Sequence, residues 1–214
     1  MFVTKNQKPL TVYLALITWF ALILQFILMI TNAGDIGITP LTAATRFFGY
    51  FTILSNTGVA LCLTFPLFKE DHFFSKATTQ SAMVVYILIV GIVYNTILRH
   101  IWDPKGAAKL ADELLHVAIP VLYTLYWMSY IPKDTLTSTH PFRWLLFPAV
   151  YLVYALLRGF TEGFWAYPFI NVKESGAAKV ALNSAGLLIV FFIVGCGVVF
   201  IGRGKSAFTK QKKE

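Results

Sequence analysis

A hydroxyl, an imidazole and a carboxylate stand in this sequence at spacings that bring side chains onto shared helix faces. Thr52, Ser55 and Asn56 lie at i, i+3 and i+4. Asp112 precedes His116 by one helical turn, Asn95 precedes Arg99 by the same interval, and Arg158 precedes Glu162 likewise. Hydroxyl, imidazole and an acid that orients the imidazole form the minimum set for nucleophilic acyl transfer. A hydroxyl is a poor nucleophile at neutral pH, so it needs a base within hydrogen-bond reach. His116 would take the proton from Thr52, and Asp112 would hold the ring and stabilise the imidazolium. Either Asp112 or Glu113 is placed to do the orienting. Asn56, Asn183 or Arg99 would donate to the oxyanion, with Ser55, Asn95 and Arg158 at the same level. The chain carries no G-x-S-x-G, no S-x-x-K and no H-E-x-x-H. His100, Asp112, Glu113 and His116 offer a two-histidine, one-carboxylate set for a metal. His72 and His140 fall in connectors on the opposite side, so a third histidine is lacking and neither metal nor cofactor is expected.

The elements that must position these groups are membrane helices. Hydrophobic residues make up 57% of the 214-residue chain and charged residues 13%, and the mean hydropathy is +0.67. That charge is about half the usual share and cannot cover a soluble fold of this size. Disorder and a disulfide scaffold are excluded on the same grounds. The net charge of +8 is not a nucleic-acid signature, because the basic residues form no aromatic-interleaved patch. Arg203, Lys205, Lys210, Lys212 and Lys213 cluster at the end instead, as in a cytoplasmic tail.

Six apolar stretches are long enough to cross a bilayer: residues 10–30, 45–68, 78–99, 112–130, 142–160 and 178–201. The expected fold is therefore an all-α membrane protein, a six-transmembrane-helix bundle forming one integral domain over 1–214, with a basic tail at 202–214. The first stretch exceeds the apolar core of a signal peptide and no small-x-small site follows, so it is read as a retained span. Lys and Arg favour both termini in the cytoplasm of a multi-pass cell-membrane protein. Cys62 and Cys196 fall within spans and are read as small buried apolar residues.

Alternation of the spans puts the polar residues at one depth. Thr52, Ser55 and Asn56 begin the second span. Tyr94, Asn95, Arg99 and His100 end the third. Asp112, Glu113 and His116 begin the fourth, Arg158 and Glu162 end the fifth, and Asn183 and Ser184 begin the sixth. Five helices carrying polar groups at one level imply a polar cavity open toward one leaflet. Each group alone has a blander reading. Serine and threonine bond their own i−4 carbonyls, arginines near an interface snorkel, and a His–Asp bond can be structural.

Three segments carry a resemblance: FFGYFTILSN at Phe47–Asn56, DELLHVAIP at Asp112–Pro120 and WAYPFINV at Trp165–Val172. Together they resemble the bacterial six-span branch of the androgen-induced-gene-type transmembrane threonine hydrolases, from about Thr45 to Ala185. Eukaryotic members cleave fatty acid esters of hydroxy fatty acids. The resemblance implies that Thr52, after Phe51, is the nucleophile and His116, ahead of Pro120, the second essential residue. It departs in the His-to-Pro spacing, one residue shorter than in animal members, and in the acidic Asp112-Glu113 pair. Tyr167-Pro168-Phe169 matches a family segment before the last span, as a lid, the rim of a lipid entrance or an interfacial aromatic anchor. The implied partners are the bilayer and a lipid ester. The alternative functions are a non-enzymatic lipid or small-molecule binder or transporter, and a structural subunit of a membrane complex. Natural substrate and oligomeric state stay open.

Overall fold

The computed structural model describes residues 3–211. Beyond Arg203 the side chains of the basic tail expected over 202–214 lie outside the described part. The fold is an α-helical membrane bundle, and no strand occurs among the described residues. Four helical segments among them are long and apolar enough to cross a bilayer: Lys8–Thr31, Ala77–His100, His140–Glu162 and Ala177–Arg203. A bent pair, Pro40–Phe47 with Phe51–Leu67, makes a fifth if counted as one span.

Helix α1 (Lys8–Thr31) starts with a proline in its first turn, where no intrahelical donor is lost. Its buried face carries Thr11, Leu14, Ala15, Thr18, Ala21 and Leu22, spaced by three and four. Leu16, Phe20, Ile23 and Ile27 are exposed on the other side, as a lipid-facing surface requires.

The expected continuous span over 45–68 is instead broken. Helix α2 (Pro40–Phe47) is capped by the Thr39 hydroxyl, which accepts the Thr42 N–H at 3.1 Å. The chain then turns through 67° before α3 (Phe51–Thr64), with Tyr50 extended at φ −93°, ψ 131°. A broken helix leaves carbonyls without partners, and in lipid each must find one. Here α8 (Leu146–Glu162) supplies them. The Tyr151 hydroxyl donates to the Gly49 carbonyl at 3.0 Å, Tyr154 to Phe48 at 3.4 Å, and the Arg158 guanidinium to Thr45 at 2.7 Å. Positions 151, 154 and 158 share one face of α8. A Cβ on Gly49 would lie 2.5 Å from the Phe164 ring and 2.9 Å from the Arg46 carbonyl, so only glycine fits this junction.

Helix α4 (Ala77–Thr96) is half buried in the bundle centre. The fourth expected span begins earlier than Asp112, with α5 (Gly106–Glu113). It runs through a π-helical turn, Leu114–Ala118, into α6 (Ile119–Tyr130). Pro120 explains the turn. It has no N–H for the His116 carbonyl and its ring crowds that carbonyl, so the helix widens. The Ile119 N–H then bonds back to Leu114, which leaves the Leu115 carbonyl free. A short α7 (His140–Trp144), a four-residue α9 (Val172–Ser175) and the long α10 (Ala177–Gln211) complete the chain. Cys62 is buried, but Cys196 is exposed on α10 rather than in the core.

Candidate active site

Thr52 occupies the second position of α3, so the break at residues 48–50 aims its side chain and its backbone N–H, which has no partner within the helix, into the bundle. Its Oγ1 lies 3.3 Å from His116 Nε2. On the far side of the ring, His116 Nδ1 is 2.9 Å from the Asp112 carbonyl and 3.1 Å from the Asp112 Oδ1 carboxylate oxygen. Both groups around Nδ1 are acceptors only, so Nδ1 carries the proton. In the neutral imidazole Nε2 is then the free lone pair, to which the Thr52 hydroxyl can donate. Asp112 is also held from its second oxygen, Oδ2, by the Tyr94 hydroxyl. Hydrogen bonds thus run from Thr52 to His116 to Asp112, with Tyr94 closing the chain.

The π turn sets the pitch of this arrangement. Asn56 Nδ2 donates to the Thr52 carbonyl at 2.8 Å and to the freed Leu115 carbonyl at 3.2 Å. Asn56 therefore braces the first turn of α3 against the residue preceding His116 and does not face the Thr52 hydroxyl. On the other flank the Tyr94 ring stacks on the imidazole, with centroids 4.2 Å apart and planes 15° apart. Arg99 lies over Tyr94 at 5.2 Å and forks onto Glu113 at 2.7 and 2.8 Å. Asp112 thus pairs with His116 while Glu113 pairs with Arg99.

Tyr167 reaches Thr52 from the loop after α8. Its hydroxyl accepts the Thr52 N–H at 3.3 Å and lies 3.4 Å from Thr52 Oγ1. Its ring stacks on Phe169 at 5.2 Å and meets Tyr50 edge-on at 6.0 Å. Desolvation among these rings holds the phenol above its ordinary value, so it stays a neutral donor.

The cavity beside Thr52 departs from the polar cavity expected at this depth. It measures about 650 Å³ counted with its open mouth. Its walls are mostly apolar, with Phe51, Val90, Leu152, Leu188 and Phe191 among them. Among the described residues, Thr52, Tyr151, Tyr167 and Ser184 are its only hydroxyl-bearing walls. Polar groups at this depth bond to one another because hydrocarbon offers them no other partner.

Several sequence candidates are engaged elsewhere. Asn95 bonds the Gly91 carbonyl of its own helix at 2.8 Å and is exposed. Helix α4 ends at Thr96, so Arg99 lies on the following 3-10 turn and does not share a regular i, i+4 face with Asn95. Arg158 is buried, caps α2 and pairs with Glu162 at 2.6 Å. Asn183 donates to the Phe169 carbonyl at 2.9 Å and so fastens the Tyr167 turn to α10. Ser55 is fully buried, with no partner for its hydroxyl. No cluster of three metal-ligating side chains occurs among the described residues. Sequence reasoning missed the backbone N–H of Thr52 as a donor and the double role of Tyr94. The tyrosine lay in the polar belt, but nothing in one sequence signals a ring stack.

Comparison with known proteins returned no matching family model, no matching curated protein and no matching solved structure.

Proposed function

We propose that this protein is an intramembrane lipid ester hydrolase with Thr52 as nucleophile and His116 as general base. The observation that carries the reading is the 3.3 Å contact between Thr52 Oγ1 and His116 Nε2, at the wall of an apolar cavity. An acyl chain would occupy that cavity and place its ester carbonyl over Thr52. Attack by Oγ1 passes the hydroxyl proton to Nε2 and forms a tetrahedral oxyanion. The Tyr167 O–H and the Thr52 N–H are the nearest donors for it. The imidazolium, held by the Asp112 carboxylate, then gives its proton to the departing alkoxide. Water, deprotonated by the same nitrogen, cleaves the acyl-threonine and regenerates the hydroxyl.

The resemblance of Phe47–Asn56, Asp112–Pro120 and Trp165–Val172 to the androgen-induced-gene-type hydrolases supports fatty acid esters of hydroxy fatty acids as the ester class. On this reading α5, the π turn and α6 make a sixth crossing, and the bent pair counts as one. Both termini are cytoplasmic, from the distribution of Lys and Arg.

The purified chain should hydrolyse such an ester, and Thr52→Ala and His116→Ala should each remove turnover while eluting unchanged on size exclusion. A fluorophosphonate probe should label Thr52. Turnover retained in both variants would falsify the assignment. The second reading, a lipid carrier without chemistry, draws on the apolar cavity walls. Saturable lipid binding with no probe labelling selects it.

A further inference from the structure

We infer that Ser184 forms a polar subsite inside the apolar cavity and takes a neutral oxygen function, a hydroxyl or carbonyl, borne on the chain of the bound lipid.

Ser184 is 8% exposed, lines the same cavity as Thr52, and its Oγ has no hydrogen-bond partner. That is unusual for a membrane helix, where a serine or threonine hydroxyl by default bonds the carbonyl four residues back. This protein follows the default repeatedly; Ser55 also departs from it, but among the described cavities Ser55 lines none. Thr18 bonds Leu14, Thr64 bonds Ala60, Ser81 bonds Ala77 and Thr124 bonds Pro120, each at 2.7 Å. Ser184 has the Val180 carbonyl at the same interval and does not use it. The other hydroxyls of the wall are engaged: Tyr151 donates to Gly49, and Thr52 and Tyr167 bond each other. Asn183, the adjacent residue, bonds the Phe169 carbonyl and pins the rotation of α10 at this level.

A buried hydroxyl without a partner is costly, and plain hydrocarbon in the cavity would leave it so. A ligand oxygen at this height relieves that cost. No charged side chain among the described residues lines the cavity, so a carboxylate there would be uncompensated and the fitting group is neutral. The subsite depends on binding alone and holds whether or not Thr52 performs chemistry.

The test is displacement of a fluorescent fatty acid from the full-length protein in lipid nanodiscs. Competitors are octadecanoic acid and a series of hydroxy-octadecanoic acids with the hydroxyl at successive carbons. One position should compete about three- to tenfold better than the unsubstituted acid, the range of one neutral hydrogen bond. Ser184→Ala should erase that preference without changing affinity for octadecanoic acid. Ser184→Cys, of similar shape but a weak donor, should erase most of it. Three results would overturn the subsite: no preferred position in the wild type, a preference that survives Ser184→Ala, or an equal loss for all competitors. The last identifies a packing role. The hydrolase reading fails on a different result, the absence of Thr52-dependent turnover.

Discussion

Replacing Asp112 with asparagine separates two tasks that one carboxylate usually performs together. In a hydroxyl–imidazole–carboxylate chain the acid fixes the tautomer and stabilises the imidazolium. Here the first task is shared. His116 Nδ1 is 2.9 Å from the Asp112 main-chain carbonyl, which no side-chain substitution removes. In Asp112→Asn the amide oxygen can still face Nδ1. The new N–H₂ then faces the Tyr94 hydroxyl, which accepts as readily as it donates. The tautomer and the ring position survive, and only the charge 3.1 Å from Nδ1 is lost. A hydrogen bond to a charged group contributes about 1.5–3 kcal/mol. The expected drop in kcat is therefore about tenfold to about 150-fold. That is far short of the roughly 10⁴-fold seen where the carboxylate alone sets the tautomer. KM should hardly move, because Asp112 does not line the cavity. The assay is steady-state ester hydrolysis in detergent, with the rate of fluorophosphonate labelling of Thr52 as a second readout. Unchanged kcat would remove Asp112 from the mechanism. A loss as complete as that of His116→Ala would refute the claim that the backbone carbonyl holds the tautomer.

The other predictions concern what aims Thr52. Tyr167→Phe keeps the stack on Phe169 but removes both contacts to Thr52, so kcat should fall about 10²-fold with lipid affinity unchanged. Equal kcat in the two proteins would mean that the phenol does not meet the oxyanion. Gly49→Ala places a methyl group against Phe164, Arg158 and the Arg46 carbonyl, so thermal unfolding should report about 1–3 kcal/mol of destabilisation. An alanine variant as stable and active as wild type would show that the junction relaxes freely.

Four of the six expected crossings, or five with the bent pair counted as one, were legible in the sequence because lipid imposes one rule on every residue: the backbone must satisfy itself, and apolar side chains must cover it. The shared depth of Thr52 and His116 was legible too, since successive helices alternate in direction and each residue lies near the same end. Neither rule reaches across helices. The turn at residues 48–50 exists because Tyr151, Tyr154 and Arg158, about a hundred positions away, take the carbonyls it leaves open. Arg158 and Asn56 read as substrate donors in the sequence because burial of a polar side chain announces a partner without naming it. Tertiary packing assigned both to backbone carbonyls. It also sorted two adjacent acids, giving Asp112 to the imidazole and Glu113 to Arg99, because neighbouring positions on a helix face about 100° apart. Sequence pointed to groups at matching ends of successive helices. Only the folded bundle decided which of them touch, because distances between helices are set by side-chain packing that no local pattern encodes.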